Sequence, residues 1–154
     1  MPHDNAVVDE LNVLLADATV FYQKLRHYHW NIEGRHFFEL HAKFEELYDR
    51  WATSIDEIAE RILMLGGVPL HTLKSMLDAA TLAEDDTTPA AAGMVDAVAG
   101  DLEALHDRAG TLIATAEEAD DRGTANMLDA LRDAMEKDLW MLRAWKKEGA
   151  GAWR

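Results

Sequence analysis

Residues 37–65 read FFELHAKFEELYDRWATSIDEIAERILML. Apolar residues recur in it at spacings of three and four from Phe37 to Ile62, which is the period of a helix with one buried face. The helix is predicted to stop at the Gly-Gly-Val-Pro segment at 66–69, where both residue types disfavour a continuing helix. A helix of this length favours a helical bundle.

The same period predicts three more long helices and one short one. Their expected bounds are about 5–30, 73–82 (short), 90–119 and 124–147. Periodicity weakens between Gly66 and Pro89, which indicates a long crossover between two helix pairs. This is the order of a ferritin-like four-helix bundle, in which helices two and three run parallel. We therefore predict one all-α domain over residues 1–154, with mobile tails at about 1–4 and 148–154.

Composition excludes several function classes. The 154 residues contain 15 Lys and Arg against 29 Asp and Glu, a formal net charge of −14, which argues against general nucleic-acid or anionic-membrane binding. The acids concentrate in residues 84–138, which indicates either a cation-attracting surface or a solvated, salt-adapted face. The absence of cysteine excludes disulfides, thiolate metal sites and a Cys nucleophile. Without a signal-peptide or transmembrane pattern, a cytoplasmic location is expected.

Two pairs of possible metal ligands lie on helix two. His41 with Glu45, and Asp56 with Glu60, are each four residues apart, so each pair projects from one face and could share a metal. All four residues fall on the same flank of the apolar stripe. The alternative for each acid is an ordinary solvated position.

Distance decides how these pairs could act together. His41 and Asp56 lie roughly 22 Å apart along a helix, whereas a metal ligand sits about 2 Å from its ion. If a second copy packs its helix two antiparallel across a two-fold axis, His41 and Glu45 of one chain meet Asp56 and Glu60 of the other. His29, at the end of helix one, can face the start of helix two; its alternative is a satisfied core histidine. Imidazole and carboxylate ligands suit iron, manganese or zinc.

An intrachain di-iron centre is the competing arrangement in ferritin-like bundles. It needs Glu-x-x-His on each of two helices. Glu103 and His106 form one such motif, and neither helix two nor helix four supplies a partner motif. The intrachain centre is therefore excluded, and His106 is expected at the surface.

Several segments together resemble the Dps family, the DNA-binding proteins from starved cells or mini-ferritins. In order and spacing they match the family signature: YHWNIEG at 28–34, FFELH at 37–41, FEELYD at 44–49, DEIAERI at 56–62 with GG at 66–67, and DLWM at 138–141. The resemblance covers nearly the whole chain.

The resemblance implies a hollow homododecamer that oxidises and stores iron. Its ferroxidase centres would use His29, His41 and the acid at position 45 from one subunit, and Asp56 and Glu60 from the partner. Position 45 carries Glu where many relatives carry Asp. Fe(II) would be oxidised by hydrogen peroxide, or by dioxygen, and stored as ferric mineral, which protects against oxidative stress. Zn²⁺ or Mn²⁺ would compete for the site.

The resemblance also implies roles for four residues outside the ligand set. Trp30 and Trp140 would intercept one-electron oxidants; the alternative is that both are core or interface aromatics. Glu46 and Asp49 would face the cavity and nucleate mineral, or they form an exposed acidic face.

The family admits iron through acidic three-fold pores near the start of the last helix. Asp120, Asp121 and Asp129 are the candidates, although Asn126 stands where some relatives have an acid. A ring of carboxylates would concentrate Fe(II) there. The same acids could instead cap a helix.

DNA binding is the family property that this sequence supports least. Residues 1–11 contain no Lys or Arg, and the only basic cluster is formed by Arg143, Lys146, Lys147 and Arg154. With a charge of −14 we predict weak or no DNA binding at physiological salt. The alternative function is a DNA-protecting shell with little ferroxidase activity, which leaves nucleoid association open.

Overall fold

The computed structural model describes residues 5–147, which form five helices and no strand. Their bounds are α1 Asn5–Asn31, α2 Phe37–Met64, α3 Leu73–Ala79, α4 Ala91–Glu118 and α5 Arg122–Lys146. The all-α prediction is confirmed, and the four long helices begin and end within two residues of their predicted positions. The short α3 stops three residues early. The predicted mobile tails at 1–4 and 148–154 lie outside the described residues.

Pairs of side-chain contacts fix the direction of each helix. Phe21 packs on Trp51 and His29 stacks on His41, so α1 and α2 are antiparallel. Lys24 binds Asp101, and Thr115 donates to Glu10, so α1 and α4 are antiparallel as well. It follows that α2 and α4 run parallel, as the long crossover predicts.

The core is a single cluster of apolar side chains contributed by all four long helices. Its largest fully buried members are Tyr28, Phe21, Phe44, Leu11, Leu14, Leu15, Leu25, Leu47, Ile58, Ile62, Met94 and Leu102. These include most of the apolar positions that defined helices one and two in the sequence. Within residues 5–147 no helix is long and apolar enough to cross a membrane.

The start of the crossover is held against the first half of α1. The Asn12 side-chain amide donates to the Val68 carbonyl at 3.1 Å, and its carbonyl accepts from the Leu70 amide at 2.9 Å. A Cβ on Gly67 would lie 2.6 Å from Val8 Cγ1, so any larger residue would require the Val8 side chain to shift.

The middle of the crossover is held by a buried carboxylate. Asp17, 1% exposed, accepts hydrogen bonds from the Thr81 amide at 2.6 Å, the Thr81 hydroxyl at 2.7 Å and the Leu82 amide at 2.9 Å. Arg108 of α4 approaches the same carboxylate at 3.1 Å. Asp17 therefore joins α1, the crossover and α4.

The end of the crossover is held by the last turns of α1. The Tyr28 hydroxyl donates to Asp85 at 2.6 Å, and His27 Nε2 donates to the Thr87 carbonyl at 2.7 Å. Burial and the hydrogen bond to Asp85 raise the pKa of Tyr28, while hydrogen bonds from Thr87 and Tyr28 lower the pKa of Asp85 to about 2. The crossover is thus fixed to α1 at three successive levels, and α3 is carried with it.

Candidate metal centre

The turn between α1 and α2 brings two of the predicted ligands into contact. Gly34 adopts a φ of 99°, a conformation that favours glycine, and the chain reverses within the five residues that separate the helices. His29 in the last turn of α1 then stacks on His41 of α2, with ring centroids 3.7 Å apart and planes 15° apart. The expectation that His29 faces the start of α2 is confirmed.

The two histidines are locked by a reciprocal pair of hydrogen bonds. His29 Nδ1 donates to the His41 carbonyl at 2.6 Å, and His41 Nδ1 donates to the His29 carbonyl at 2.7 Å. A carbonyl oxygen can only accept, so each Nδ1 carries a proton, and in the neutral form of each ring this leaves the lone pair on Nε2. Neither Nε2 has a hydrogen-bond partner among the described residues. This is the arrangement of metal-binding histidines, in which a backbone carbonyl orients the ring through its other nitrogen.

Aromatic rings cover the histidine pair on both sides. Phe37 stacks on His41 at 4.8 Å between centroids, and Tyr48 packs edge-on against His29 at 5.3 Å. His29 is only 7% exposed as a result. Both imidazoles are therefore held in single orientations by packing as well as by hydrogen bonds.

The three predicted carboxylate ligands lie on the exposed flank of α2. Glu45 follows His41 by one turn, and Asp56 and Glu60 form the separate pair roughly 22 Å from His41. None of the three forms a hydrogen bond or an ion pair within residues 5–147. Over the same residues, no single chain gathers three or more groups that could hold a metal. One subunit thus brings together His29 and His41 and leaves the carboxylates facing outward.

The candidate pore acids divide into two kinds. Asp121 caps α5, because it accepts from the Thr124 amide at 3.1 Å and from Arg61 at 2.6 Å. Burial works to raise the pKa of Asp121, but hydrogen bonds from Thr124 and Arg61 outweigh it and hold the pKa below its usual range. The capping alternative is therefore correct for Asp121. Asp120 and Asp129 instead line an open pocket of about 380 Å³ together with Glu117, Arg122, Ala125 and Asn126.

Both candidate radical-trapping tryptophans are outside the core of the subunit. Trp30 is 56% exposed and Trp140 is 65% exposed. Of the two possible mineral-nucleating acids, Glu46 forms ion pairs with Lys43 at 3.4 Å and with Arg50 at 3.8 Å. Asp49 is exposed and has no ion pair among the described residues.

The histidine of the Glu-x-x-His motif is only partly exposed, and side chains of α5 bind it. His106 lies half-buried between α4 and α5, where Nε2 donates to Glu136 at 2.9 Å and Nδ1 accepts from Arg132 at 3.4 Å. Both nitrogens are engaged by side chains, so His106 serves the packing of these two helices. Glu103 pairs elsewhere, with Arg143 at 2.6 Å.

The described part of the C-terminal basic cluster is largely neutralised by α4. Arg143 is paired with Glu103, and Lys146 forms an ion pair with Asp96. Lys147 is exposed, and Arg154 lies outside the described residues. Arg143 and Lys146 therefore do not form an unpaired basic surface.

Sequence reasoning missed the rings around the histidine pair. Tyr22 precedes His29 by seven residues, which is two helical turns, and Tyr48 follows His41 by the same number. Because α1 and α2 are antiparallel, this equal spacing could have predicted a contact between Tyr22 and Tyr48. Their rings are 5.8 Å apart between centroids.

Comparisons with known proteins agree on one family. The model of the ferritin-like domain family matches residues 8–150. Over 135 residues, covering 88% of this chain and 91% of the relative, the sequence is 44% identical to the DNA protection during starvation protein of Brevibacillus brevis.

Solved structures give the same result. The Dps protein of Vibrio cholerae, described as a member of a broad superfamily of ferritin-like diiron-carboxylate proteins, matches with a TM-score of 0.92 and 36% identity over 96% of this chain and 98% of that one. Dps of Listeria innocua, in crystals soaked with zinc, matches with a TM-score of 0.88 and 33% identity over 90% of this chain and 94% of that one.

Proposed function

Because this chain belongs to the Dps group of the ferritin-like family, we propose that it is a ferroxidase that stores iron. In this proposal Fe(II) is the substrate, hydrogen peroxide or dioxygen is the oxidant, and the ferric product is kept as mineral inside a hollow homododecamer. The cell is protected because free Fe(II) and peroxide are consumed together.

The observation that carries the proposal is the reciprocal lock between His29 and His41. It presents two neutral imidazoles whose Nε2 lone pairs are free for Fe(II), and the carbonyl partners at Nδ1 raise the basicity of both ligands. The lock also fixes the ring positions before the metal binds, so little entropy is lost on binding.

The carboxylates come from two subunits in this proposal. Glu45 extends the histidine end of the site, and the partner's α2 supplies its Asp56 and Glu60 across a two-fold axis. Exposed carboxylates that have no hydrogen-bond or ion-pair partner among the described residues fit this role. Two imidazoles and three carboxylates form a mixed nitrogen and oxygen donor set that suits iron, with Zn²⁺ or Mn²⁺ as competing occupants.

The surface beside His29 fits contact with a second copy. Trp30, Leu73 and Leu77 are exposed apolar side chains on α1 and α3. They line an open pocket of about 610 Å³ between these helices. Clustered exposed apolar groups of this kind mark interaction surfaces, so the two-fold contact is proposed to bury them next to the metal centre.

The reaction balances without any resident cofactor. Two Fe(II) ions each lose one electron, and hydrogen peroxide takes up both electrons with two protons to give two Fe(III) and two water molecules. The protein binds both reactants next to each other, which favours two-electron reduction of the peroxide over the one-electron reduction that releases hydroxyl radical. The carboxylates compensate the positive charge that develops as iron becomes ferric, and the imidazoles donate electron density to the ion.

Iron uptake is proposed to use the acidic pocket at the start of α5. Asp120 and Asp129 line it with Glu117, and threefold repetition would multiply their attraction for Fe(II). Asp121 has no part in this path because Thr124 and Arg61 occupy its carboxylate. On the cavity side, Asp49 is the better candidate for mineral nucleation, since Glu46 is already paired with two cations.

A DNA-protecting shell is the second candidate function, favoured by the names of the relatives. Against it stand the formal charge of −14 and the pairing of Arg143 and Lys146 with acids of α4. We propose that duplex binding is weak or absent at physiological salt.

The test combines ligand removal with a matched histidine control. His29 and Asp56 are replaced together by Ala, and iron oxidation after mixing with peroxide is followed by the ferric absorbance of the assembled protein. Fast oxidation is expected to disappear while the particle size stays the same. His71→Ala, at an exposed histidine whose one hydrogen bond within residues 5–147 is to the Pro69 carbonyl, is expected to behave as the parent protein. An unchanged rate in the double variant contradicts the site assignment.

A further inference from the structure

One face of α2, which we call the ligand face, carries the predicted ligands and has a large exposed apolar side chain at each end. At about 100° per residue, its members fall within a sector of about 100° around the helix. They are Phe38, His41, Ala42, Glu45, Asp49, Ala52, Asp56, Ala59, Glu60 and Leu63. Phe38 is 85% exposed and Leu63 is 59% exposed. The ligand face is therefore polar or small in its middle and apolar at both ends.

The two apolar ends cannot cover each other within one chain. Phe38 and Leu63 are separated by roughly 37 Å along α2 at the rise of an α-helix. Within residues 5–147, the one aromatic contact of Phe38 is with its chain neighbour Phe37, at 5.4 Å between ring centroids. Removing such side chains from water stabilises a protein in proportion to the apolar area that is buried. A second chain can supply that burial.

The two-fold arrangement proposed above fixes which residues of two chains lie level with each other. It places His41 at the level of the partner's Glu60. Phe38 precedes His41 by three residues, and Leu63 follows Glu60 by three. In an antiparallel pair, Phe38 therefore lies level with the partner's Leu63. The choice of ligands made no use of either apolar residue, so this match supports the arrangement independently.

Small side chains meet in the same register. Ala42 follows His41 by one residue and Ala59 precedes Glu60 by one, so Ala42 lies level with the partner's Ala59. The distance between two packed helix axes depends on the side chains at their contact. Methyl groups at this level let the two α2 helices approach closely, which brings the carboxylates of one chain within reach of the histidines of the other.

Resting on the function proposed above, we propose that Phe38 of one subunit packs on the partner's Leu63 and closes the outer end of each shared metal centre, the end away from the two-fold axis. A second copy of this chain is thus the occupant of both apolar ends. Helix rise places the pair about 4.5 Å beyond the level of His41. Phe37 stacks on His41 at the same end, so apolar groups of both chains border the metal there.

This closure acts on both assembly and metal binding. Carboxylates of two chains meet at the two-fold contact, and juxtaposed like charges oppose association. The apolar pair at each end offsets part of this repulsion. It also excludes water from the outer end, which strengthens the attraction between the carboxylates and a bound cation. Solutes then reach the metal only from the remaining sides of the centre.

Cysteine crosslinking tests the pairing, because the chain has no cysteine of its own. Metal-free assembled protein that carries both Phe38→Cys and Leu63→Cys is treated with a short bismaleimide and run on a denaturing gel. The two positions lie roughly 37 Å apart in one chain, so a short crosslink between them joins only different subunits. Most chains of the double variant should run as covalent dimers.

The two single variants are the matched controls for the crosslink. Equal residues of two-fold partners are again roughly 37 Å apart in this register, so Phe38→Cys alone and Leu63→Cys alone should both stay monomeric on the gel. A double variant that assembles but gives no covalent dimer overturns the pairing. Covalent dimers in either single variant overturn it as well, because they require a different contact between chains.

Removal of Co(II) by a chelator tests the closure. Assembled protein loaded with Co(II) is mixed with excess EDTA, and the loss of bound Co(II) is followed by its visible absorbance. Phe38→Ala and Leu63→Ala should each speed the loss several-fold, and the two together should add little, because both open the same end. Val68→Ala, at a side chain that is 71% exposed and lies outside α2, should behave as the parent protein. Parent rates in both single variants would contradict the closure.

These measurements separate the inference from the proposed function, because neither depends on the oxidation of iron. If the parent protein oxidises Fe(II) with peroxide but the double cysteine variant gives no covalent dimer, the apolar pair is wrong and the ferroxidase stands. If the covalent dimer forms but the parent protein does not oxidise Fe(II), the pair stands and the proposed function fails.

Discussion

Replacement of Asp17 by Ala should loosen the crossover and cost about 3 kcal/mol of stability. The change leaves the Thr81 and Leu82 amides without an acceptor, and an unsatisfied buried donor costs about 1–3 kcal/mol. The Thr81 hydroxyl and Arg108 add little, because both side chains can turn to water. The two amides together would cost about 2–6 kcal/mol. Since Thr81 itself is exposed, its amide regains part of its hydration, which places the total in the lower half of that range, at about 3 kcal/mol.

The measurement is urea unfolding of the assembled protein, compared at one protein concentration because association contributes to stability. Asp9→Ala is the matched control, since Asp9 is an exposed acid on the same helix with no ion pair among the described residues. It should change stability by less than about 0.5 kcal/mol. Because α3 is carried by the crossover, Asp17→Ala should also weaken two-fold assembly, visible as smaller particles on dilution. A loss below about 1 kcal/mol would refute the assigned role of Asp17.

Three further predictions concern a helix cap, acid stability and DNA. Asp121→Ala removes the α5 cap and the Arg61 ion pair and should cost about 1–2 kcal/mol in the same urea assay; an unchanged midpoint would contradict it. Hydrogen bonding lowers the folded-state pKa of Asp85 to about 2 from an ordinary value of 3.8, so its contribution to stability is complete above about pH 4 and is lost as the pH falls through 2. Asp85→Asn should therefore show a shallower loss of stability over this interval in acid titrations followed by circular dichroism, and an identical slope would count against the assignment. Asp96→Asn combined with Glu103→Gln frees Lys146 and Arg143 from their ion pairs. The double variant should shift duplex DNA in gels at low salt but not at moderate salt, whereas the parent protein should shift none. Saturable duplex binding by the parent at moderate salt would disprove the weak-binding proposal.

Local pattern was enough to predict the helices. The spacing of apolar residues from Phe37 to Ile62 follows directly from burial of one helix face. Gly and Pro at 66–69 disfavour continuation of the helix and so mark its end. Both signals are carried by neighbours in sequence, which is why four helices begin and end within two residues of their expected positions.

Contacts between distant residues were not predictable in the same way. Hydrogen bonds from Thr81 to Asp17 and from Tyr28 to Asp85 join residues that are not related by any sequence periodicity. His106 was expected at the surface and is partly exposed there, but its hydrogen bonds with Glu136 and Arg132 of α5 were not predicted. Hydrogen bonds of this kind depend on which side chains of a neighbouring helix lie beside a given residue. Only the packed structure shows this.

The candidate centre combines features that the local sequence pattern predicted with features that it did not predict. The position of His29 against the start of α2 followed from the helix pattern, but the reciprocal hydrogen bonds that free both Nε2 atoms depend on the geometry of the turn at Gly34. The separation of His41 from Asp56 followed from helix rise alone. This separation is the basis for proposing a centre shared between subunits.

Mixed assemblies of two inactive variants test the shared centre most directly. In a hybrid pair of His29→Ala and Asp56→Ala subunits, both defects fall in one centre and the other centre is intact. Random co-assembly should therefore restore about a quarter of the parent's centres, measured by Fe(II) oxidation with peroxide, although each variant alone is inactive. Co-assembly of His29→Ala with His41→Ala is the matched control and should restore none, because both defects lie on the same side of the site. Shells shown by differential tags to contain both His29→Ala and Asp56→Ala subunits, yet still inactive, would contradict a ferroxidase centre built from two chains.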